Sequence, residues 1–214
     1  MPALPHIYPV GATMFITFRL ADSLPLYIVQ ELKCELEEEI KIIRKAGIST
    51  KEADTLIYNK KKQLFGRFDY QLDAKPYGNC YLDQPSIAQL LFDKIMSYHT
   101  TYYDIHALSI MPNHVHLLAD TSIQLPEAAN STPEDYVDVS KWMQLIKGGS
   151  AFLINQQLGR SGKLWSKESY DHFVRYDKEG EYDRIRNYIL SNPTKAGLGR
   201  RYSKEPYLFE LDQG

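Results

Sequence analysis

The clearest signal in this chain is the alternation of apolar and polar residues in short runs. In the run 12–22, every second residue from Met14 to Leu20 is apolar, which predicts a half-buried strand because side chains alternate between the two faces of a sheet. Other runs have apolar residues three and four positions apart, as amphipathic helices do. Together these patterns predict strands at 12–22, 104–111, 114–120 and 170–176, and helices at 26–46, 86–101, 139–158 and 178–191.

Glycine and proline mark the expected ends of the helices. Gly47 follows the first helix and predicts its end. Gly148 and Gly149 predict an interruption within the helix at 139–158. Pro193 predicts that the last helix ends at Ser191, because Asn192 precedes the proline and is disfavoured in helical geometry.

The order of these elements predicts the fold class. Pro112 and Asn113 separate two apolar runs by only two residues, which predicts a β-hairpin. Strands and helices interleave in the rest of the chain, so we expect an α+β fold with an antiparallel central sheet flanked by helices. We expect a single domain over 1–214, with a helical insertion at 47–84 that also contains irregular segments, and a tail at 202–214.

Two segments do not follow the pattern. The insertion at 47–84 mixes aromatic and basic residues with glycine and proline, so both packing and contact with nucleic acid remain open for it. The segment 120–138 carries five acidic residues and no basic ones. We expect it to form a solvated loop that points away from any nucleic-acid site or forms a mobile cover.

Composition adds limits on compartment and core size. Of 214 residues, 43% are hydrophobic and sixteen are tyrosine, enough for a substantial core. Cys34 and Cys80 have no metal-type spacing, so we expect reduced thiols in a cytoplasmic protein. No run has the pattern of a secretory leader or the length of a membrane span, so we expect no membrane partner.

The net charge of −2 hides an uneven distribution. Residues 140–204 contain thirteen lysines and arginines against six acidic residues, whereas residues 1–139 contain twelve against eighteen. Such asymmetry can mark a surface that faces a polyanion, and it can also arise by chance.

The run IMPNHVHLLAD (110–120) contains the strongest candidate chemistry. His114 and His116 are separated by one apolar residue in a predicted strand, so both imidazoles point from the same face of the sheet. Two neutral imidazoles held in this way can bind one divalent cation. The alternative is a strand with two half-exposed histidines and no metal.

The last predicted helix carries a second constellation. Tyr188 and Asn192 are four residues apart and share one face of the helix, with Arg184 one turn earlier. Helical spacing alone also fits a tyrosine at the edge of the core and an asparagine that caps the helix.

Four motifs in the same chain give these residues a family context. MPNHVHLL, IKGGSAFLIN, LWSKESYDHFVR and YILSNPTKAGL resemble, in order and spacing, the REP-associated tyrosine transposases. These belong to the wider superfamily of HUH (His-hydrophobe-His) single-tyrosine transposases, also described as IS200-like. The resemblance extends from about residue 9 to about 201. It implies a ferredoxin-like or RRM-like HUH endonuclease core and a DNA endonuclease with transposase activity.

The resemblance also assigns roles at the centre of the site. It makes His114 and His116 metal ligands, Asn192 a third ligand and Tyr188 the nucleophile. It implies Mg²⁺ or Mn²⁺ as the metal and a 5′-phosphotyrosine as the covalent intermediate. A free tyrosine hydroxyl has a pKa of about 10, so a nearby cation would favour attack as the phenolate.

Weaker predictions concern the surroundings of that centre. Asp171 and His172 match an Asp-His pair of the family, for which we expect a role behind the ligands or in the structure. For Trp165 both base stacking and packing in the core remain open. For Lys147 the two open interpretations are a phosphate contact and a solvated position on the helix. The candidates for nucleic-acid contact are Lys147, Arg160, Lys163, Trp165, Arg184 and Lys195.

The resemblance implies single-stranded or hairpin DNA as the partner, and palindromic extragenic repeats as its source. It favours a monomer with a complete site, and a homodimer is the alternative. A DNA-bound protein of this type would be associated with the nucleoid. Two other functions stay open, a hairpin-binding protein that does not cut and a hydrolytic metal phosphodiesterase.

Overall fold

The computed structural model describes residues 8–74, 77–125, 133–176 and 178–211. The chain divides into two compact units, one formed by Met1–Ala21 with Cys80–Gly214 and the other by Asp22–Asn79. The smaller unit is thus inserted into the sequence of the larger one. Its boundaries differ from the predicted 47–84 because the first predicted helix also belongs to it.

The larger unit is built on a five-stranded antiparallel sheet. The order across the sheet is β4-β1-β3-β2-β5, and all neighbouring strands are antiparallel. The first four strands have the order of a ferredoxin-like βαββαβ unit, which confirms the predicted α+β class. The strands are β1 (Thr13–Leu20), β2 (Asp104–Ile110), β3 (His114–Asp120), β4 (Trp165–Phe173) and β5 (Leu208–Glu210).

The helices are divided between the units. The smaller unit contains α1 (Leu26–Lys45) and α2 (Thr50–Ala74), and the larger contains α3 (Pro85–Met96), α4 (Val139–Gln157) and α5 (Glu181–Lys195). Across the described part of the chain, no helix combines the length and the apolar character needed to cross a bilayer.

One face of the sheet forms an apolar core with α3 and α4. Met14, Ile16 and Phe18 of β1 are at most 1% exposed and join buried residues of the two helices, such as Leu91 and Trp142. Because side chains alternate along a strand, the residues between them point to the opposite face. On that face α5 lies against β2 and β3, and there the predicted site residues meet.

The smaller unit is a helical hairpin. Leu32 and Leu36 of α1 pack with Leu64 of α2. The predicted helical insertion is confirmed, and it contains less irregular structure than expected, because α2 is a continuous helix of 25 residues. Phe68 of α2 packs against the α1–α2 cluster, whereas Tyr70 is 68% exposed.

Two predicted helix breaks do not occur. Helix α4 continues through both glycines. Gly149 instead leaves room for the Lys94 side chain of α3, since a Cβ atom there would lie 2.4 Å from Cε of Lys94. Helix α5 includes Pro193 and ends at Lys195. A proline in the final turn removes one backbone donor, and the turn is still closed by the bond from Ala196 N to Asn192 O.

Other boundaries shift by a few residues. Helix α3 ends at Met96 and not at residue 101, whereas β4 begins at Trp165 and not at residue 170. The predicted tail contains β5, which pairs with β2 and is too short to show a sequence pattern. In the acidic segment 120–138, residues 126–132 lie outside the described residues. The described part includes Asp138, whose side chain caps α4 by accepting from Lys141 N.

Candidate active site

The two histidines of β3 converge on one point of the sheet face. Strand alternation sends Val115 to the apolar core and both imidazoles to the other side. His114 is 1% exposed and His116 is 0% exposed. Their Nε2 atoms lie 3.0 Å apart. The predicted pairing of the imidazoles is therefore realised, and the pair is buried instead of half-exposed.

The outer nitrogen of each imidazole has a polar neighbour. Nδ1 of His114 lies 2.7 Å from Oδ1 of Asn113. Nδ1 of His116 lies 2.7 Å from Oγ1 of Thr17, which is the residue directly opposite on β1. Each ring is thus held from its outer side while its Nε2 atom points toward the other ring.

Burial keeps both rings neutral. It lowers the pKa of His114 to about 3, and burial together with the neighbouring His114 lowers the pKa of His116 well below its usual value. Neutral imidazole is the form that ligates metals. At neutral pH the pair therefore offers two nitrogen lone pairs and no charge that would repel a cation.

Asn192 completes the polar centre from α5. It is 1% exposed, and its Nδ2 atom lies 3.2 Å from Nε2 of His116. Within the described ranges, Oδ1 of Asn192 is buried and has no hydrogen-bond partner. A buried carboxamide oxygen without a partner next to two neutral imidazoles fits a divalent cation as the missing partner.

Tyr188 lies one turn before Asn192 and beside the histidine pair. Its ring centroid is 5.5 Å from that of His116, at an interplanar angle of 72°, and 6.0 Å from that of Phe15. The side chain is partly exposed, so a large substrate can reach it. Nζ of Lys195 lies 5.6 Å from the centroid of the Tyr188 ring, which brings a cation to the tyrosine.

A buried carboxylate fixes the start of α5. Glu181 is 2% exposed and accepts from Arg175 N at 2.9 Å and from Arg175 Nη2 at 3.1 Å. Its Oε2 atom also lies 3.4 Å from Nε2 of His172. Burial raises the pKa of Glu181, but the hydrogen bonds of Arg175 and the charge of His172 outweigh it, and the pKa falls to about 2.

The predicted Asp171–His172 pair is divided between the faces of the sheet. His172 lies opposite Phe15 on the face of the site, and Asp171 lies opposite Ile16 of the apolar core. Asp171 therefore lies away from the histidine pair, and of its two predicted roles only the structural one fits this position. Burial and the carboxylate of Asp171 raise the pKa of Tyr8, so the aspartate acts on the core side.

The position of Trp165 also does not fit the predicted contact with nucleic acid. It is 4% exposed, and its ring packs against Phe18 with centroids 4.9 Å apart. Its Nε1 atom donates to Oγ of Ser150 at 3.0 Å. Base stacking by Trp165 is therefore wrong, because its ring belongs to the core.

Lys147 is held against β4. Its ammonium donates to Ser166 O at 2.8 Å and lies 3.1 Å from Oγ of Ser169. Burial, together with the charges of Lys163 and Arg19, lowers the pKa of Lys147 to about 8. Two further cations, Lys163 and Arg19, thus lie within electrostatic range of Lys147.

The other basic candidates are more accessible. Arg160 donates to Asn155 Oδ1 at 2.7 Å and lies over the ring of Tyr81. The side chain of Arg184 is 61% exposed and lies 3.3 Å from Glu181, and Lys163 is exposed. These positions are compatible with contacts to nucleic acid, which remain predictions.

Four residues of the site were missed from the sequence: Thr17, Arg19, Asn113 and Glu181. Arg19 is the ladder partner of His114, and the other three are described above. Strand alternation in the run 12–22 places Thr17 and Arg19 on one face, but only the register between β1 and β3 shows that this face carries the histidines.

Comparison with known proteins gives a sequence relative. No protein-family model matches the chain. A curated protein of Haemophilus influenzae named "Putative REP-associated tyrosine transposase" is 30% identical over 107 residues, which are 49% of this chain and 57% of that protein. The chain thus spans little more than half the length of this relative.

A solved structure described as a REP-associated tyrosine transposase bound to a REP hairpin aligns with 97% of this chain and 82% of its own chain. Its TM-score is 0.44 at 17% identity, and at that score it carries no argument. The sequence relative is sufficient to confirm the resemblance seen in the four motifs: this chain is similar to a REP-associated tyrosine transposase.

Proposed function

We propose that this protein is a metal-dependent endonuclease and strand transferase for single-stranded DNA, a transposase of the REP-associated tyrosine type. The observation that carries the proposal is the approach of the Tyr188 ring to 5.5 Å from the ring of His116. A tyrosine beside a buried pair of neutral histidines combines a nucleophile with a cation site. The name of the sequence relative supports the same activity.

In this proposal His114, His116 and Asn192 hold Mg²⁺ or Mn²⁺. Two imidazole nitrogens and one amide oxygen form a mixed donor set that leaves room for substrate oxygens. When bound, such a cation neutralises charge on the phosphoryl oxygens of the scissile phosphate. Asn192 and Tyr188 come from consecutive turns of α5, so the same helix sets the positions of ligand and nucleophile.

The reaction is a transesterification. The Tyr188 hydroxyl attacks phosphorus, the new bond joins its Oη atom to the 5′ phosphate, and the bond from phosphorus to the 3′ oxygen breaks. The proton lost by the tyrosine balances the proton gained by the leaving 3′-hydroxyl. Because the phosphotyrosine keeps the energy of the broken bond, a free 3′-hydroxyl can reverse the step and join a different strand.

The proposed substrate is DNA that folds into a hairpin, with palindromic extragenic repeats as its source. The exposed cations Lys163, Arg184 and Lys195, together with Lys147 and Arg160, are the proposed contacts to the phosphate backbone. The excess of positive charge over residues 140–204 supports this assignment, as does the name of the sequence relative. We further propose that one chain contains a complete site, because β1, β3 and α5 of a single chain supply all of its residues.

The test is cleavage of fluorescently labelled hairpin oligonucleotides from the flanking genome in Mg²⁺ or Mn²⁺. We expect a covalent adduct between the protein and the 5′ side of the cut, visible on a denaturing gel. Tyr188→Phe removes the nucleophile and should abolish both cut and adduct while DNA binding persists. Tyr182→Phe is the matched control on the same helix, since the Tyr182 hydroxyl lies 3.0 Å from Nδ1 of His106.

Each alternative gives a different result. Free 5′-phosphate ends without an adduct, or full cutting by the Tyr188→Phe protein, would show a hydrolytic phosphodiesterase. Hairpin binding without metal-dependent cleavage of any sequence would show a DNA-binding protein that has no nuclease activity.

A further inference from the structure

The histidine pair is supported from outside by two residues with no assigned role. Asn113 precedes His114 at the hairpin turn, and its Oδ1 atom lies 2.7 Å from Nδ1 of that ring. Thr17 lies on the neighbouring strand, and its Oγ1 atom lies 2.7 Å from Nδ1 of His116. Asn113 is 1% exposed and Thr17 is 6% exposed, so water does not compete freely for either contact.

These contacts determine which nitrogen of each ring carries the proton. An amide oxygen only accepts, so the contact between Asn113 and His114 requires a proton on Nδ1 and leaves a lone pair on Nε2. A threonine hydroxyl can donate or accept. If Nε2 of His116 binds a cation, its Nδ1 atom must carry the proton, and the Thr17 hydroxyl then accepts from it.

In these tautomers both Nε2 atoms, 3.0 Å apart, present lone pairs that one cation can share. A proton on either Nε2 atom would instead join the rings by a hydrogen bond and block the cation. The Nδ2 group of Asn113 is also buried and lacks a hydrogen-bond partner among the described residues. The fold thus leaves the Nδ2 group of Asn113 unpaired while its Oδ1 atom contacts His114. This arrangement favours the metal-binding form of the ring.

We propose that Asn113 and Thr17 are positioning residues that hold His114 and His116 as Nδ1–H tautomers, so that both Nε2 atoms are aimed at one divalent cation. The proposal rests on the proposed function, since it names the groups that prepare its metal site. The two residues differ in strength. In the observed orientation Asn113 presents its oxygen and favours one tautomer, whereas the Thr17 hydroxyl can donate or accept and permits both. Removal of the Asn113 oxygen should therefore have the larger effect.

The test is titration of the purified full chain with Mn²⁺ by calorimetry, in the absence of DNA. Loss of a partner behind a metal-bound histidine typically weakens metal binding by about 10- to 100-fold. We expect Asn113→Leu to weaken Mn²⁺ binding by about 100-fold and Thr17→Val by about 10-fold. The controls keep the acceptor: Asn113→Asp and Thr17→Ser should bind Mn²⁺ at least nearly as tightly as the wild type.

A second measurement reports the tautomers without metal. In protein labelled with ¹⁵N-histidine, the NMR shifts of the ring nitrogens distinguish Nδ1–H from Nε2–H. We expect His114 and His116 to be Nδ1–H in the wild type, and His114 to become a mixture in Asn113→Leu. Circular dichroism checks that each variant folds. If Asn113→Leu does not fold, the positioning role is tested by Mn²⁺ binding to Thr17→Val and Thr17→Ser and by the NMR spectrum of the wild type.

The outcomes separate the two proposals. If the wild type does not bind Mn²⁺, the proposed metal-dependent function fails. If the wild type binds Mn²⁺ and folded Asn113→Leu and Thr17→Val bind it equally well, the positioning role fails and the function stands. Nε2–H rings in the metal-free wild type would also overturn the positioning role.

Discussion

The two faces of the central strands β1 and β3 are buried to a similar extent but in different ways. On the face toward α3 and α4, residues such as Ile16 and Leu117 are apolar and at most 1% exposed. On the face toward α5, Thr17 and His116 are 6% and 0% exposed. Burial of apolar area stabilises the fold directly. Burial of a polar group is nearly neutral at best, and then only if a partner satisfies it.

The difference shows that one face of the sheet mainly stabilises the fold, whereas the other face carries the polar groups of the candidate site. The apolar face tolerates changes of shape poorly because its side chains are closely packed. The polar face depends on pairs of donors and acceptors, such as Thr17 with His116 at 2.7 Å. Changes on the first face should therefore appear in the free energy of unfolding, and changes on the second in metal binding and cleavage.

The largest expected effect comes from making the polar face apolar. The double variant Thr17→Val with His116→Leu removes a metal ligand together with its hydrogen-bond partner. Cleavage of hairpin DNA should fall roughly 10³-fold or more, because transition-state charge is no longer neutralised. In EDTA the free energy of unfolding should fall by only about 1–3 kcal/mol, because Thr17 is replaced together with its partner and only the contacts of His116 with His114 and Asn192 are lost.

Urea denaturation and a gel assay of cleavage measure the two quantities. The single variant His116→Leu is the control, since it leaves the Thr17 hydroxyl without its partner and should cost about 1–3 kcal/mol more than the double variant. A double variant that cleaves normally would contradict the assignment of His116 to the metal.

The apolar face should give the opposite result at the next residue of the same strand. Leu117 is 0% exposed and belongs to the core. Leu117→Ala should lower the free energy of unfolding by about 2–5 kcal/mol, because it removes buried area and leaves a cavity. At low temperature the folded fraction should still cleave at nearly the wild-type rate. Strong loss of cleavage by fully folded protein would show that the two faces are not separate.

The sequence was sufficient for the outline of this arrangement. Alternation in the run 114–120 placed both histidines on one face, and Pro112 with Asn113 predicted the hairpin. Tyr188 and Asn192 were found from their spacing and the family resemblance. These features depend on local periodicity, which is visible in a single run of residues.

Features that depend on distant pairing could not be predicted. The contact between Thr17 and His116 requires the register of two strands that are 99 residues apart, and a shift of one residue would reverse the faces. The same holds for Asp171, whose position depends on the pairing of β4 with β1. Pro193 shows a different limit, because a proline near the end of a helix loses one hydrogen bond and the helix can continue.

The smallest expected effect concerns Glu181, which holds the start of α5. Glu181 affects the free energy of unfolding although it lies on the site face of the sheet. The Glu181 pKa of about 2 lies below its ordinary value of 4.5, so the folded protein favours the carboxylate. This contribution to the free energy of unfolding is fully present above about pH 4.5 and is lost as the pH falls toward 2, by at most about 1.4 kcal/mol per pH unit. Glu181→Gln should therefore be less stable than the wild type at pH 6, and the difference should shrink as the pH falls to 3.

Urea titrations at several pH values measure that difference directly. Asp183→Asn is the matched control, because it changes an exposed acid in the same first turn of α5. Its difference from the wild type should stay small at every pH. A constant difference for Glu181→Gln between pH 6 and 3 would contradict the role of the ionised carboxylate. If the prediction holds, the helix that carries Tyr188 is attached to the sheet by charge at its first turn and by apolar packing of Ile185 and Ile189 beyond it.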